Sequence, residues 1–270
     1  LMDSLTLIAI KASLAGGKEI LEVYNQDDFE VQLKSDDSPL TKADQLAHNA
    51  IMSFLESTGI PVLSEEGREM NFDERKAWSK LWIVDPLDGT KEFIKRNGEF
   101  TVNVALVENG VPVLGVIYVP VKKELYFSNK EIGSFKVERV GSTTSVPEDI
   151  NVLMEAGEKL PVEDEDRSFT IVGSRSHMSK ETEEFVSQLK EKHQDLEVLS
   201  KGSSLKICMV AEGSADVYPR FAPTMEWDTA AAHAIVNESD GLFYKYKDQG
   251  DHYYNKENLL NDWFVVESNK

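Results

Sequence analysis

The segment LWIVDPLDGTKEF, residues 81 to 93, constrains this 270-residue chain more than any other. An apolar, β-branched run suited to a buried strand ends directly in two carboxylates, Asp85 and Asp88, separated only by Pro86 and Leu87. Burying a carboxylate is costly unless it is paired or bound to a metal, so such a strand must deliver Asp85 to a partner. Pro86 keeps Asp85 out of the helical region and fixes the following turn, which lets both acids point to one place. Gly89 and Thr90 add a backbone without a Cβ, two amides and a hydroxyl, a set that suits a phosphate or carboxylate. Clustered carboxylates with no His or Cys nearby favour Mg²⁺, Mn²⁺ or Ca²⁺ over zinc.

Two further acidic stretches strengthen that reading. Glu65 and Glu66 follow the apolar IPVL, and MEWDTAAAHAIV puts Asp228 where a helix of small residues begins, a favourable place for negative charge. Asp44, in SPLTKAD, is a fourth candidate. Taken singly, each has an ordinary alternative: DPLDGT as a capped turn, Glu65-Glu66 as a solvated pair, Asp228 as a plain N-cap.

Around these motifs the apolar spacing predicts a helix over 3 to 24 and another over 41 to 57. Strands follow at 81 to 85 and in two runs around Asn109-Gly110, the strongest short hairpin signal, with ELYFS extending the sheet. Residues 138 to 167 are polar, contain the acidic run EDED and mark the expected boundary between lobes of 1–137 and 138–270. Beyond it, strands and helices alternate through FTIVG, 180 to 192, LEVLS, 204 to 212, ADVYP and a helix near Asp228, ending in NDWFVVES. That alternation predicts a parallel or mixed sheet in the second lobe.

The charge balance narrows the partners. With 29 Lys+Arg against 48 Asp+Glu the chain carries −19, so neither DNA, RNA nor an anionic membrane surface is the expected partner. No apolar run approaches the ~18 residues of a membrane span and no signal peptide is visible, so the expectation is cytoplasmic, with peripheral membrane association left open. Cys208, the single cysteine, rules out an internal disulfide and reads as a small buried side chain.

Asp44, Glu65-Glu66, DPLDGT and WDTAA, in that order, resemble the metal-dependent, lithium-sensitive phosphatase superfamily that includes inositol monophosphatase and fructose-1,6-bisphosphatase. The resemblance spans essentially the whole chain and implies an α/β (α+β) fold, a layered αβαβα sandwich of two lobes with the active site between them. Within it, VDPLDGTKEFIKRNGEFTVNVALV, GSRSH (173–177), GSSLKIC (202–208) and YPRFAPTMEWDTAA (218–231) are most similar to the CysQ-type 3'(2'),5'-bisphosphate nucleotidases. That likeness implies Mg²⁺, in two or three ions. Glu65, Asp85 and the Leu87 carbonyl would serve one ion, Asp85, Asp88 and Asp228 a second, with a third, weaker ion near Glu65 and Glu66 in support.

The implied reaction is direct attack of a metal-activated water on phosphorus, without a phosphoenzyme. Asp44 and Thr90 are the expected pair that orients and deprotonates that water, with Glu65 beside it. The Gly89 and Thr90 amides would hold the scissile phosphate. Ser174, His177, Ser203, Lys206 and Arg220 are the expected contacts to the nucleoside and its second phosphate, although His177 alone reads as a structural imidazole and Lys206 alone as a solvated helix residue. The small-molecule substrate implied is adenosine 3',5'-bisphosphate, hydrolysed to AMP and phosphate, with 3'-phosphoadenylyl sulfate as a related substrate. An inositol monophosphatase or broad sugar phosphatase is the alternative, and an acidic metal-binding protein without catalysis the alternative outside enzymes.

Overall fold

The protein is described here by a computed structural model covering residues 1–27, 32–33, 39–141, 148–162, 164, 166–173 and 178–269. Helix α1 (Met2–Tyr24) leads to two short paired strands, β1 (Gln32–Leu33) and β2 (Pro39–Leu40), then α2 (Lys42–Leu55), β3 (Val62–Ser64) and α3 (Phe72–Arg75). Next come β4 (Lys80–Asp88), α4 (Thr90–Ile94), β5 (Thr101–Glu108), β6 (Val111–Val119), β7 (Glu124–Asn129), β8 (Gly133–Val137), α5 (Ile150–Ala156) and β9 (Glu158–Lys159). The remainder is β10 (Thr170–Gly173), α6 (Lys180–Lys192), β11 (Glu197–Ser200), α7 (Leu205–Glu212), β12 (Val217–Arg220), α8 (Glu226–Asn237), β13 (Leu242–Lys245) and β14 (Phe264–Glu267).

Strands β3 to β9 form a seven-stranded sheet in chain order, antiparallel except for the parallel β3–β4 pair. The five-stranded sheet has the order β11-β10-β12-β14-β13, parallel on one side and antiparallel on the other, the mixed form expected. Helices α1 and α2 cover one face of the large sheet, α8 packs on β4 to β7 from the other face, α7 bridges α8 to the small sheet, and α6 lies beyond β12. The resulting layers are α, β, α, β, α. By sheet membership the first unit continues past residue 137, because β9 pairs with β8.

The alternation along β4 decides where the acids go. Trp82 and Val84 enter the core under α1 and α2, whereas Leu81 and Ile83 enter the core shared with α7 and α8. A strand buried on both faces reads as an unbroken apolar run, as LWIV does. Asp85 continues the Leu81–Ile83 series and therefore points toward α8. Asp88, three positions on, would face the opposite side of a regular strand. The ladder slips here: Asp85 pairs with Asn103 and Asp88 with Thr101, so three steps on β4 match two on β5. This bulge accommodates Pro86, sends Leu87 into the α1–α2 core and returns Asp88 to the side of Asp85.

Helix α8 can lie close to the sheet because its facing residues are small. A Cβ placed on Gly115 of β6 would sit 2.2 Å from the Ala231 carbonyl oxygen and 3.0 Å from the Ala234 Cβ. We expect Gly115→Ala to push α8 away and to lower stability by about 1–3 kcal/mol, read as a lower urea midpoint at unchanged m-value.

Candidate functional site

Carboxylate oxygens of Asp85, Asp88 and Asp228 lie within 4.8 Å of one another, the first acid buried and the other two partly exposed. Each is held in place. Asp85 Oδ1 accepts the Leu87 amide at 3.1 Å, Asp88 Oδ2 accepts the Ser204 amide at 2.7 Å and Asn103 Nδ2 at 3.4 Å, and Asp228 Oδ2 accepts the Met225 amide at 2.7 Å. The Thr101 and Ser204 hydroxyls both donate to Asn103 Oδ1 at 2.9 Å, which fixes the side-chain amide so that its nitrogen faces Asp88.

Three acids this close cannot all be charged without a cation. Burial, then the charges of Glu65, Asp88 and Asp228, drives the Asp85 carboxyl well above its ordinary range. Burial also raises Asp88, against the opposing pull of Lys206 and its hydrogen bonds. Asp228 is pushed up to about 7 by burial and by Asp88. An all-oxygen donor set strained in this way fits a hard divalent cation, Mg²⁺ among them.

Glu65 stands at the end of β3, where its amide donates to the Val84 carbonyl at 3.1 Å, and its charge acts on both Asp85 and Asp228. Glu66 accepts from Gln45 Nε2 at 3.2 Å. Asp44, third residue of α2, accepts the Thr41 amide and hydroxyl at 2.8 and 2.7 Å on one oxygen. Its other oxygen accepts the Thr90 hydroxyl at 3.2 Å, so the two residues expected as a pair are in contact. The Thr90 hydroxyl is also 3.4 Å from the Leu87 carbonyl oxygen.

A cavity of about 550 Å³ opens over these groups, lined by Glu65, Asp88, Gly89, Thr90 and Asp228 together with Ser203, Lys206, Tyr218 and Arg220. Gly89 has φ 87°, and a Cβ there would lie 3.1 Å from the Ser203 Cβ, so the close approach of the two loops demands glycine. Lys206 is buried, donates to the Lys201 and Ser203 carbonyls at 3.2 and 3.0 Å, and has its ammonium 5.6 Å from the Tyr218 ring centroid. Burial lowers its pKa to about 8, partly offset by Asp88. Among the described residues that line the cavity, the Ser203 hydroxyl and Arg220 Nε are buried without a partner.

Of the expected contacts, Ser174 and His177 lie outside the described residues, as do parts of the EDED run. Lys91 and Glu92 line the cavity, whereas Phe93 joins a buried aromatic cluster with Tyr24 and Phe100. Cys208 is buried, and burial pushes its thiol up. Sequence reasoning passed over Asn103, Ser204 and Tyr218. The signal for Asn103 was present, a lone amide inside the apolar run FTVNVALV; Ser204 acts through its backbone, which no side-chain motif reveals.

Residues 1–269 match the model of the inositol monophosphatase family. The chain belongs to that family. It is 44% identical over 253 residues to the 3'(2'),5'-bisphosphate nucleotidase CysQ of Salmonella typhimurium, covering 93% of this chain and 94% of that one. The CysQ of Escherichia coli K12 is 42% identical over the same shares. Among solved structures, CysQ from Bacteroides thetaiotaomicron superposes with a TM-score of 0.91 at 53% identity, covering 99% and 98% of the two chains. The extragenic suppressor protein SuhB of Bartonella henselae, at 21% identity and a TM-score of 0.71 over 97% and 92%, shares the fold. No helix among the described residues is long and apolar enough to cross a membrane.

The shifted acids give a signed pH effect. Asp228 titrates at about 7 in the folded state against 3.8 ordinarily, so between those values the metal-free folded state holds a proton that the unfolded chain has released. Metal-free protein should therefore lose stability as pH rises through this window, and added Mg²⁺ should raise the melting temperature most above about pH 7. Thermal melts in chelator and in Mg²⁺ from pH 5 to 8 check this, and Asp228→Asn should make the profile shallower, with Asp85 and Asp88 still contributing.

Proposed function

We propose that this chain is a Mg²⁺-dependent 3'(2'),5'-bisphosphate nucleotidase that removes the 3'-phosphate of adenosine 3',5'-bisphosphate, giving AMP and phosphate. One observation carries the reading: a single cavity is lined both by acids of a cluster suited to divalent cations and by Lys206 and Arg220. A monophosphate needs only the cation centre. A second anionic group on the same substrate gives the lysine and arginine a charge to neutralise. The similarity to CysQ nucleotidases along nearly the whole chain supports the same substrate class.

In this reading Asp85, Asp88 and Asp228 would hold one ion, and Glu65, Asp85 and the Leu87 carbonyl another, with a weaker third beside Glu65. Bound there, Mg²⁺ neutralises developing phosphoryl charge and lowers the pKa of water. The protein's own groups do the rest. Thr90 donates its hydroxyl proton to Asp44, leaving its oxygen lone pairs to accept a hydrogen bond from the attacking water and orient it. Asp44 is the group that takes up the proton. The Gly89–Thr90 backbone holds the oxygens of the scissile phosphate. Lys206 and Arg220 bind the second phosphate, the Ser203 hydroxyl donates to it, and Ser174 and His177 contact the nucleoside.

A substrate panel in Mg²⁺ tests the proposal. Phosphate release should be faster from adenosine 3',5'-bisphosphate than from inositol 1-phosphate, with 3'-phosphoadenylyl sulfate as a third arm. The reverse ranking points to a broad phosphatase, and absence of release to a binding protein. Asp44→Asn should lower kcat by about 10²–10⁴-fold, the usual contribution of a proton acceptor. Unchanged turnover would remove Asp44 from the mechanism.

Lys206 adds a pH signature on substrate binding. Below about 8 it is charged, so KM for the bisphosphate should rise as pH passes that value, while Lys206→Met should raise KM at pH 7 and abolish the upturn. A flat KM profile in the unaltered enzyme would count against contact between Lys206 and phosphate.

A further inference from the structure

Glu226 is fully buried at the start of α8, two residues before Asp228, and does not line the cavity. A carboxylate in that position is tolerated only where hydrogen bonds and opposite charge compensate for lost water. Both are supplied by the segment Asn255–Glu257. Glu226 Oε2 accepts the Asn255 amide at 2.7 Å, and Oε1 accepts the Lys256 amide at 3.0 Å and Lys256 Nζ at 2.6 Å.

The same segment is gripped from its other side by Arg75, itself 2% exposed. The guanidinium donates to Asn255 Oδ1 at 2.9 Å and to the carbonyls of Lys256 and Glu257 at 2.6 and 3.0 Å, while Asn255 Nδ2 donates back to the Arg75 carbonyl at 2.9 Å. Amides thus face the buried anion and carbonyls the buried cation. The chain just beyond the clasp holds the same first turn of α8. The Glu226 amide donates to the Leu259 carbonyl at 3.0 Å, and Asn261 Nδ2 donates to the Met225 carbonyl and the Thr229 hydroxyl at 2.8 and 3.0 Å, bracketing Asp228 on both sides. Arg75 ends α3, the helix that follows the Glu65 turn, so the clasp ties the segment carrying Glu65 to the helix carrying Asp228.

We propose that Glu226 and Arg75 are positioning residues: by clasping Asn255–Glu257 between them they fix the first turn of α8, and so set the affinity of the acidic centre for its divalent ion. The inference rests on the reading of Asp85, Asp88 and Asp228 as cation ligands.

The test is Mg²⁺ binding by calorimetry on substrate-free protein, alongside the Mg²⁺ dependence of turnover, for the unaltered enzyme, Glu226→Gln and Lys256→Met. Glu226→Gln should weaken Mg²⁺ binding about tenfold, the lower end of what groups supporting metal ligands contribute. Its turnover at saturating Mg²⁺ should stay close to that of the unaltered enzyme. Lys256→Met, which removes the Nζ bonds to Glu226 and to the Tyr253 carbonyl but leaves the backbone bonds to Glu226, should shift binding in the same direction by less and decides the matter if Glu226→Gln does not fold. Unchanged Mg²⁺ affinity in the folded variants, with or without a fall in melting temperature or kcat, overturns the proposal. If the unaltered protein itself binds no Mg²⁺, the cation reading fails and takes this inference with it. If it binds and the variants bind equally, only the clasp fails.

Discussion

Mutual repulsion among three carboxylates, brought within 4.8 Å of each other and partly stripped of water, is the constraint on which the rest of the structure depends. Left alone the arrangement is unstable in its charged form, and a small set of hydrogen bonds holds it in place. Backbone amides of Leu87, Ser204 and Met225 each supply one hydrogen bond to one acid. The amides hold the carboxylates in place without neutralising them, which leaves the unmet negative charge for a divalent ion to satisfy. The net charge of −19 therefore says little about the site, because bound cations reverse the local field.

Geometry for this convergence comes from two devices in the large sheet. The bulge of β4 changes the parity of the strand, and without it Asp85 and Asp88 would lie on opposite faces. Helix α8 delivers the third acid because a row of alanines lets it settle on β6. Into the same cavity α7 brings Lys206 and β12 brings Arg220, so these two cations come from elements other than those that carry the acids.

Much of this was legible in the sequence for a definite reason. A run of apolar residues ending in two acids can be stable only if the acids meet a partner, and LWIVDPLD makes that demand without reference to the rest of the chain. The hairpin at Asn109-Gly110 and the helices at 180 to 192 and 204 to 212 are likewise local, and the structure contains them. What escaped was non-local. The parity change at Pro86 depends on pairing with Asn103 and Thr101, the return of β9 to β8 crosses a polar stretch with no strand signal, and the partners of Glu226 lie some 30 residues away. In MEWDTAA, Glu226 looks like one more acid in an acidic protein. Only its complete burial sets it apart.

Gly115 carries a consequence for how such a sequence can vary over time. The 2.2 Å between a hypothetical Cβ and the Ala231 carbonyl oxygen involves backbone, which no neighbouring side-chain change can relieve. A side chain at this position can be accommodated only by moving the helix itself. The side of α8 that faces the sheet is held to small residues for the same reason. The placement of Asp228 thus depends on a residue with no chemistry of its own.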